Sequence, residues 1–400
     1  MSAAAPPVSS RLFSLFCLAS YLLSLSYGST FLLSLLIGSR GGNELDAGSV
    51  ISAAMLSTFA AVIVSGHLSD LLGAARSIAL FSLLLVVASL GFALTPGFGN
   101  LLLFFGLMLG LGWGVFYTLG PIIVASLVTP AQRAKYFALL SGSMMTGIGS
   151  GPLLGRAASA LGYPVTAAFY LAALASLIGA LLFWRLDVQL KKTPSASASV
   201  ARISWHATAR VLSSRAVFPI IMVGLGGCVF GGLSSFQTSY AASRSLDYSL
   251  FFGFMGAAIS SRMLIAGFVV KRDPLRASCL LSGLMMVSIL MFGFVVDDGF
   301  SYVLAAMMLG VGYGLTYSVI NGLAANEAPS GTTSQSLLLF SLSYFVGVFG
   351  FPLLAGRIIV EHGMVTLLLT VLTIALLNWL ITVGRLIWRH VSRIKTLQQA

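Results

Sequence analysis

Enzyme and metal chemistry needs ionisable or nucleophilic side chains that can meet, and this sequence offers few. Its 400 residues hold 10 acids and four histidines, His67, His206, His362 and His390. No Asp or Glu falls well inside a long apolar run, and the histidines stand between such runs or at their ends. Cys17, Cys228 and Cys279 sit singly in apolar stretches, with neither a pairing pattern nor metal-ligand spacing. No phosphate-cradling glycine loop of the Walker type occurs. A clustered acid, base and nucleophile is what a catalytic site requires, so the sequence argues against an enzyme and calls for no metal and no cofactor.

One charge is buried in an apolar run: Arg262, about eight residues before the end of its segment. Ionisable groups inside membrane helices are costly and are functional suspects. Two readings stand side by side. The guanidinium could snorkel to the nearer surface beside Lys271 and Arg272. Alternatively it faces a cavity and binds an anionic group. Eight residues of helix span roughly 12 Å, long for a snorkel.

Aromatic and mildly polar residues make up the rest of a candidate cavity: Tyr21 and Tyr27, Trp113 and Tyr117, then Phe236, Gln237 and Tyr240, then Tyr313, Tyr317 and Asn321, and finally Tyr344. Small-molecule sites are built this way, from apolar walls with a few polar groups. Each of these aromatics, taken singly, would serve equally well in packing or against lipid.

The elements that carry these residues are apolar helices. Hydrophobic residues make up 58% of the chain and charged ones 8%, with a mean hydropathy of +1.00. A soluble domain averages about 25% charged residues, so neither soluble nor disordered chains fit. Crossing a bilayer takes about 20 apolar residues. Twelve stretches qualify, near 12–37, 48–70, 77–95, 101–127, 136–158, 165–185, 216–240, 250–270, 277–296, 301–324, 333–359 and 364–388. The first is too long for a signal peptide's apolar region and is read as a retained helix. The fold class is therefore all-α integral membrane, with twelve transmembrane helices.

The charges between the stretches set the orientation. With the N-terminus inside, 17 of the 22 basic residues fall on the cytoplasmic side, against Arg40, Arg156, Arg244 and Arg357 outside. This follows the positive-inside rule and puts both termini in the cytoplasm, in a membrane of the bacterial inner type. The net charge of +12 is spread between apolar runs, not gathered on one face, so no nucleic-acid partner is expected. The longest connection, 186–215, is basic and holds the low-complexity run 193–199. After it, Ile203, Ala207 and Val211 share one helical face, as an amphipathic surface helix or a solvated linker would have it.

The chain repeats itself at an offset of about 200. Residues 109–117, LGLGWGVFY, answer to 309–317, LGVGYGLTY, and the run at Pro152 to the run at Pro352. Gly110 and Gly114, like Gly310 and Gly314, make small-xxx-small packing faces. Six helices followed by six predict two parallel repeats, divided as 1–185, the linker 186–215, and 216–400.

Two short motifs carry a resemblance. Gly66-His67-Leu68-Ser69-Asp70-Leu71-Leu72-Gly73-Ala74-Ala75-Arg76 resembles the loop signature G-x-L-x-D-R-x-G-R-R of the major facilitator superfamily. Gly66, Leu68, Asp70 and Gly73 match, while Leu71, Ala74 and Ala75 replace the usual basic residues. The resemblance implies that Asp70 latches the cytoplasmic side, with Arg76 or Arg133 as its cation. The second-half loop from Gly267 to Arg276 is a degraded copy, read as a basic turn. Gly147, Gly151, Pro152 and Gly155 are similar to the G-x-x-x-G-P-x-x-G helix signature of that superfamily's exporters, where glycines let the helix approach its neighbour across the interface of the halves. The arginine usual in the fourth helix of drug:proton exporters is Gly106 here.

Together these imply a monomeric, proton-coupled secondary transporter in contact with membrane lipid. It would export a small amphiphilic drug or a secreted metabolite such as a siderophore by alternating access and antiport. An uptake transporter for an organic anion, or a sensor that has lost transport, are the alternatives.

Overall fold

The computed structural model describes residues 10–97, 99–128, 133–191, 204–264 and 273–399, and these are helical with no strand among them. Helix α1 (Ser10–Ser29) passes through a 3₁₀ turn, Thr30–Leu32, into α2 (Leu33–Gly38). Then come α3 (Glu44–Leu72), α4 (Ala74–Leu94), α5 (Asn100–Leu127), α6 (Arg133–Ala160) and α7 (Thr166–Leu190). A short α8 (Trp205–Leu212) precedes α9 (Val217–Ser235), α10 (Gln237–Ser243), α11 (Phe252–Leu264), α12 (Pro274–Phe294), α13 (Gly299–Asn326) and α14 (Thr333–Phe345). A π turn, Val346–Gly350, leads into α15 (Phe351–Gln399).

Each of the twelve expected stretches lies on helical backbone, the eighth as far as residue 264. Among the described residues nine helices are long and apolar enough to cross a membrane. The last of the nine, Thr333–Ser392, runs 60 residues and holds two of the expected stretches. They part at Gly363, whose φ of 85° is a left-handed value that glycine adopts without a Cβ clash. Helix α6, rich in Gly and Ser, and α11, with 13 described residues, are not among the nine.

The scarce acids largely start helices. Asn43 and Asp46 form a reciprocal capping box for α3, with bonds of 2.9 and 3.1 Å. Asp298 does the same for α13 with Ser301. Asp273 caps α12, whose first residue is Pro274. Two arginines bond helix ends instead. Arg40 donates to the Ala93 carbonyl at the end of α4, and Arg244 to the Gly293 and Val296 carbonyls at the end of α12. A cation there meets the negative end of the helix dipole.

The chain divides into two compact units. The first holds the described part of Met1–Arg202 with Ser234–Ala242 and Pro352–Val360. Within it α3 packs on α5, α4 on α5 and α7, and α1 on α6 and α7. Its two added segments are seated closely: Ser34 Oγ lies 2.6 Å from Thr238 Oγ1, and the Leu353 amide donates to Ser52 Oγ at 3.1 Å. A Cβ at Gly48 would strike the Pro352 carbonyl, and one at Gly356 the Glu44 carbonyl. The second unit holds the described part of Ile203–Leu233, Ser243–Phe351 and Glu361–Ala400. There α11 and α12 pack on α13, and α8 docks on α14.

Candidate functional site

In the second unit α11 and α13 meet through glycine faces. A Cβ at Gly310 would collide with the Phe254 carbonyl, and one at Gly314 would press on Ala258 at 3.2 Å. That close approach brings Arg262 of α11 onto α13. Its Nε donates to the Gly314 carbonyl at 2.9 Å, and its guanidinium lies 5.4 Å from the Tyr317 ring centre. The stem is thus tied sideways to the next helix and the head rests on an aromatic face, a favourable cation–π placement.

Tyr317 packs edge-on against Phe340 and Tyr344 of α14, each at 5.4 Å. Tyr313, one turn back, stacks on Phe230 of α9 at 5.1 Å. So four of the expected cavity residues, Arg262, Tyr313, Tyr317 and Tyr344, come together. Tyr313 and Tyr344 are buried, while Arg262 and Tyr317 are half-buried. Asn321, a turn further along α13, is half-buried as well.

The first unit carries a counterpart. Gly110 and Gly114 of α5 lie against Ala54, Thr58 and Ala61 of α3, and Thr58 Oγ1 donates to the Gly110 carbonyl at 3.0 Å. Tyr27 stacks on Trp113 at 4.8 Å, and Trp113 reaches Tyr117 at 6.0 Å. Tyr21 stands apart, its hydroxyl 3.2 Å from Ser150 Oγ. Phe236, Gln237 and Tyr240 belong to this first unit and are buried there. At the position equivalent to Arg262 the first half has Val62, so the deep cation has no repeat mate.

The glycine-proline motif lies on α6. Gly147, Gly151 and Gly155 point at α1 within the same unit: Cβ atoms there would strike the Tyr21 carbonyl, Gly28 and the Leu32 side chain. Residues four apart share a helix face, and this face packs on α1. Pro152 lies inside α6 and is buried.

The loop motif ends α3. Gly66 is buried, and Gly73 is the turn residue with φ 86°. Asp70 is exposed on the last turn. The Arg133 side chain lies outside the described residues. Arg76, the first residue of its kind after the turn, reaches Asp187 on α7, with Nε to Oδ2 at 3.7 Å, and lies 5.0 Å over Trp184. Lys191 joins the same carboxylate at 2.7 Å. Asp187 is buried, and the sequence reading passed over it because the apolar run ends at 185. The second-half copy is more than a basic turn: Asp273 takes both Arg389 nitrogens, Nη1 at 2.9 Å, and also Arg276 at 3.6 Å. Those donors hold the Asp273 carboxyl below the ordinary aspartate value.

No cluster of three or more metal-ligating side chains exists among the described residues. The helices and spans define a polytopic α-helical membrane protein. A family model described as Major Facilitator Superfamily matches residues 13–352, and the chain belongs to that superfamily, whose members are transporters and not enzymes. No curated protein sequence matches the chain. Solved structures share its fold. The human organic anion transporter MFSD10 (TETRAN) has a TM-score of 0.70 at 16% identity, covering 94% of this chain and 100% of the other. A peptide transporter, POT, has a TM-score of 0.73 at 17% identity, covering 96% of each chain. The E. coli fucose:proton symporter FucP has a TM-score of 0.65 at 14% identity, covering 94% and 98%.

Proposed function

We propose that this chain is a secondary transporter of an amphiphilic organic anion, a drug-like compound or a secreted metabolite such as a siderophore, moved by alternating access. The observation that carries the reading is the Arg262 guanidinium held against α13 by the Gly314 carbonyl, over the face of Tyr317. Helices α11, α13 and α14 contribute no Asp or Glu, so the local charge there is positive. The planar guanidinium fits a carboxylate, phosphate or hydroxamate with two prongs, and Tyr317, Tyr344 and Tyr313 supply ring faces for the apolar part. That a protein of this fold is an organic anion transporter supports the cargo class. The Gly147-to-Gly155 motif supports export, and a proton gradient is the proposed drive, since the chain has no nucleotide-binding loop.

The test is transport in membrane vesicles of both orientations, with and without an imposed pH gradient, using matched anionic, neutral and cationic amphiphiles. Anions should accumulate in inverted vesicles and respond to the gradient. Movement of none of the panel in either orientation would overturn the reading. A deletion strain, compared with its parent for compound sensitivity and for secreted small molecules, narrows the cargo.

A further inference from the structure

Arg385 and Arg389, on the basic end of α15, are spoken for by Glu327 and Asp273. Arg215 is not placed in that way. It stands just before α9, exposed, with its guanidinium 4.6 Å from the centre of the Trp388 ring, itself 54% exposed. Among the described residues no carboxylate joins it. A cation flattened on an exposed indole, at the end of a membrane helix, is held in place but not neutralised.

From that point two apolar stripes run back along the helices. On α9 the exposed residues are Phe218 and Ile221, three and six positions after Arg215. On α15 the exposed residues of this stretch include Leu380 and Leu377, eight and eleven positions before Trp388, with Leu376 and Ile387 beside them. Beside the stripes the helices are packed: Met222 and Asn378 are fully buried and joined by a hydrogen bond of 3.3 Å, and Arg385 covers one face of the part-exposed Phe218 ring at 5.1 Å. The two helices are therefore seamed together, and their outward stripes flank that seam. A fixed positive head between aromatic and aliphatic flanks has the form of one phospholipid: a phosphodiester at the head, acyl chain below.

We infer that the Arg215–Trp388 pair and the α9–α15 seam form a site for an anionic phospholipid of the inner leaflet. Charge selects the headgroup class, because a zwitterionic lipid brings its own cation to a place already positive. Basic pockets between membrane helices on the inner side take acidic lipids for this reason. The site is independent of the Arg262 cluster.

The test uses the full chain in detergent, with thermal unfolding followed while dioleoyl phosphatidylglycerol, dioleoyl phosphatidylcholine or glycerol 3-phosphate is added. Phosphatidylglycerol should raise the unfolding temperature more than phosphatidylcholine, and glycerol 3-phosphate should leave it unchanged. Arg215→Gln and Trp388→Ala should each lose the difference between the two lipids. Arg215→Lys should keep only part of it, since a point ammonium does not lie flat on a ring. Arg11→Gln, at another helix end, should keep all of it. Equal shifts from both lipids, an equal shift from glycerol 3-phosphate, or a full difference retained in Arg215→Gln would overturn the site. If Arg215→Gln does not purify, Trp388→Ala decides by the same readout.

Discussion

Arg389 and Asp273 join α15 to the start of α12 by the kind of ion pair that Asp187 and Arg76 make between α7 and the start of α4, with the signs exchanged. The turn residue Gly73 corresponds to Asp273 at the repeat offset of 200, and Arg76 to Arg276. One half thus supplies the cation from the turn and the acid from the last helix. The other supplies the acid from the turn and the cation from the last helix. The place of the tie is kept while its polarity is free.

That exchange predicts the behaviour of Asp187. Asp187→Asn leaves Arg76 and Lys191 facing each other without their shared carboxylate, at a cost of about 1–3 kcal/mol. The unfolding temperature in detergent should fall. The double exchange Arg76→Asp with Asp187→Arg, which adopts the polarity of the other half, should recover part of the loss. No recovery would show that Lys191, not Arg76, is the partner that matters.

The Asp273 pair has a pH signature. Its carboxyl titrates below the ordinary aspartate value because of the Arg389 hydrogen bonds. The stabilisation is then complete above that ordinary value and is lost as pH falls through the depressed one. Arg389→Gln should cost about 1 kcal/mol near neutrality, as a half-exposed pair does. The gap from the parent should close only below about pH 4. A gap that closes near pH 6 would assign the effect to another group.

Asp70→Asn should abolish transport in a protein that inserts and unfolds normally. Asp70 is exposed on the last turn of α3, on the one acid position kept from the loop signature. A coupling term of about 1–3 kcal/mol is at stake. Normal transport at matched abundance would remove the latch role.

Arg262→Ala should lose transport of anions while sparing neutral amphiphiles, and Arg262→Lys should restore it in part. Lysine can still reach the Gly314 carbonyl but cannot lie flat on Tyr317. Full activity with anions in the alanine variant would leave the cluster as a plain aromatic packing unit.

Two glycines give opposite predictions for one substitution. Alanine for glycine in a helix gains about 1 kcal/mol of propensity. At Gly256 of α11 a Cβ meets nothing within 4 Å, so the gain should appear as a raised unfolding temperature. At Gly151 the Cβ meets the backbone of Gly28, which cannot yield, so Gly151→Ala should be destabilising by more than the propensity gain.

The helices were readable because hydropathy is local, and Gly73 was readable because a positive φ demands one residue type. The glycine pairs on α5 and α13 were readable as packing faces from their four-residue spacing. Ion pairs are not local. Asp187 lies just past the end of its apolar run, and nothing near it in sequence announces Arg76, 111 residues earlier. For Gly147, Gly151 and Gly155 spacing fixes that three residues share a face but not that α1 covers it. Arg40 and Arg244, two of the four basic residues placed outside, donate to carbonyls at the ends of α4 and α12.

The pairing of α1 with α6 and α7 sets an order on biosynthesis. Most of the packing of α1 waits until the sixth and seventh helices are complete, since Gly28 meets Gly151 and Ser26 meets Ser176. At ordinary elongation rates that interval is on the order of ten seconds. During it Ser24, which α6 covers, and Ser26, which meets α7, lack those neighbours. Until then the α1 hydroxyls that bond within the helix, Ser20 to the Phe16 carbonyl and Ser24 to the Ser20 carbonyl, need no neighbour, whereas Ser26 has yet to meet Ser176.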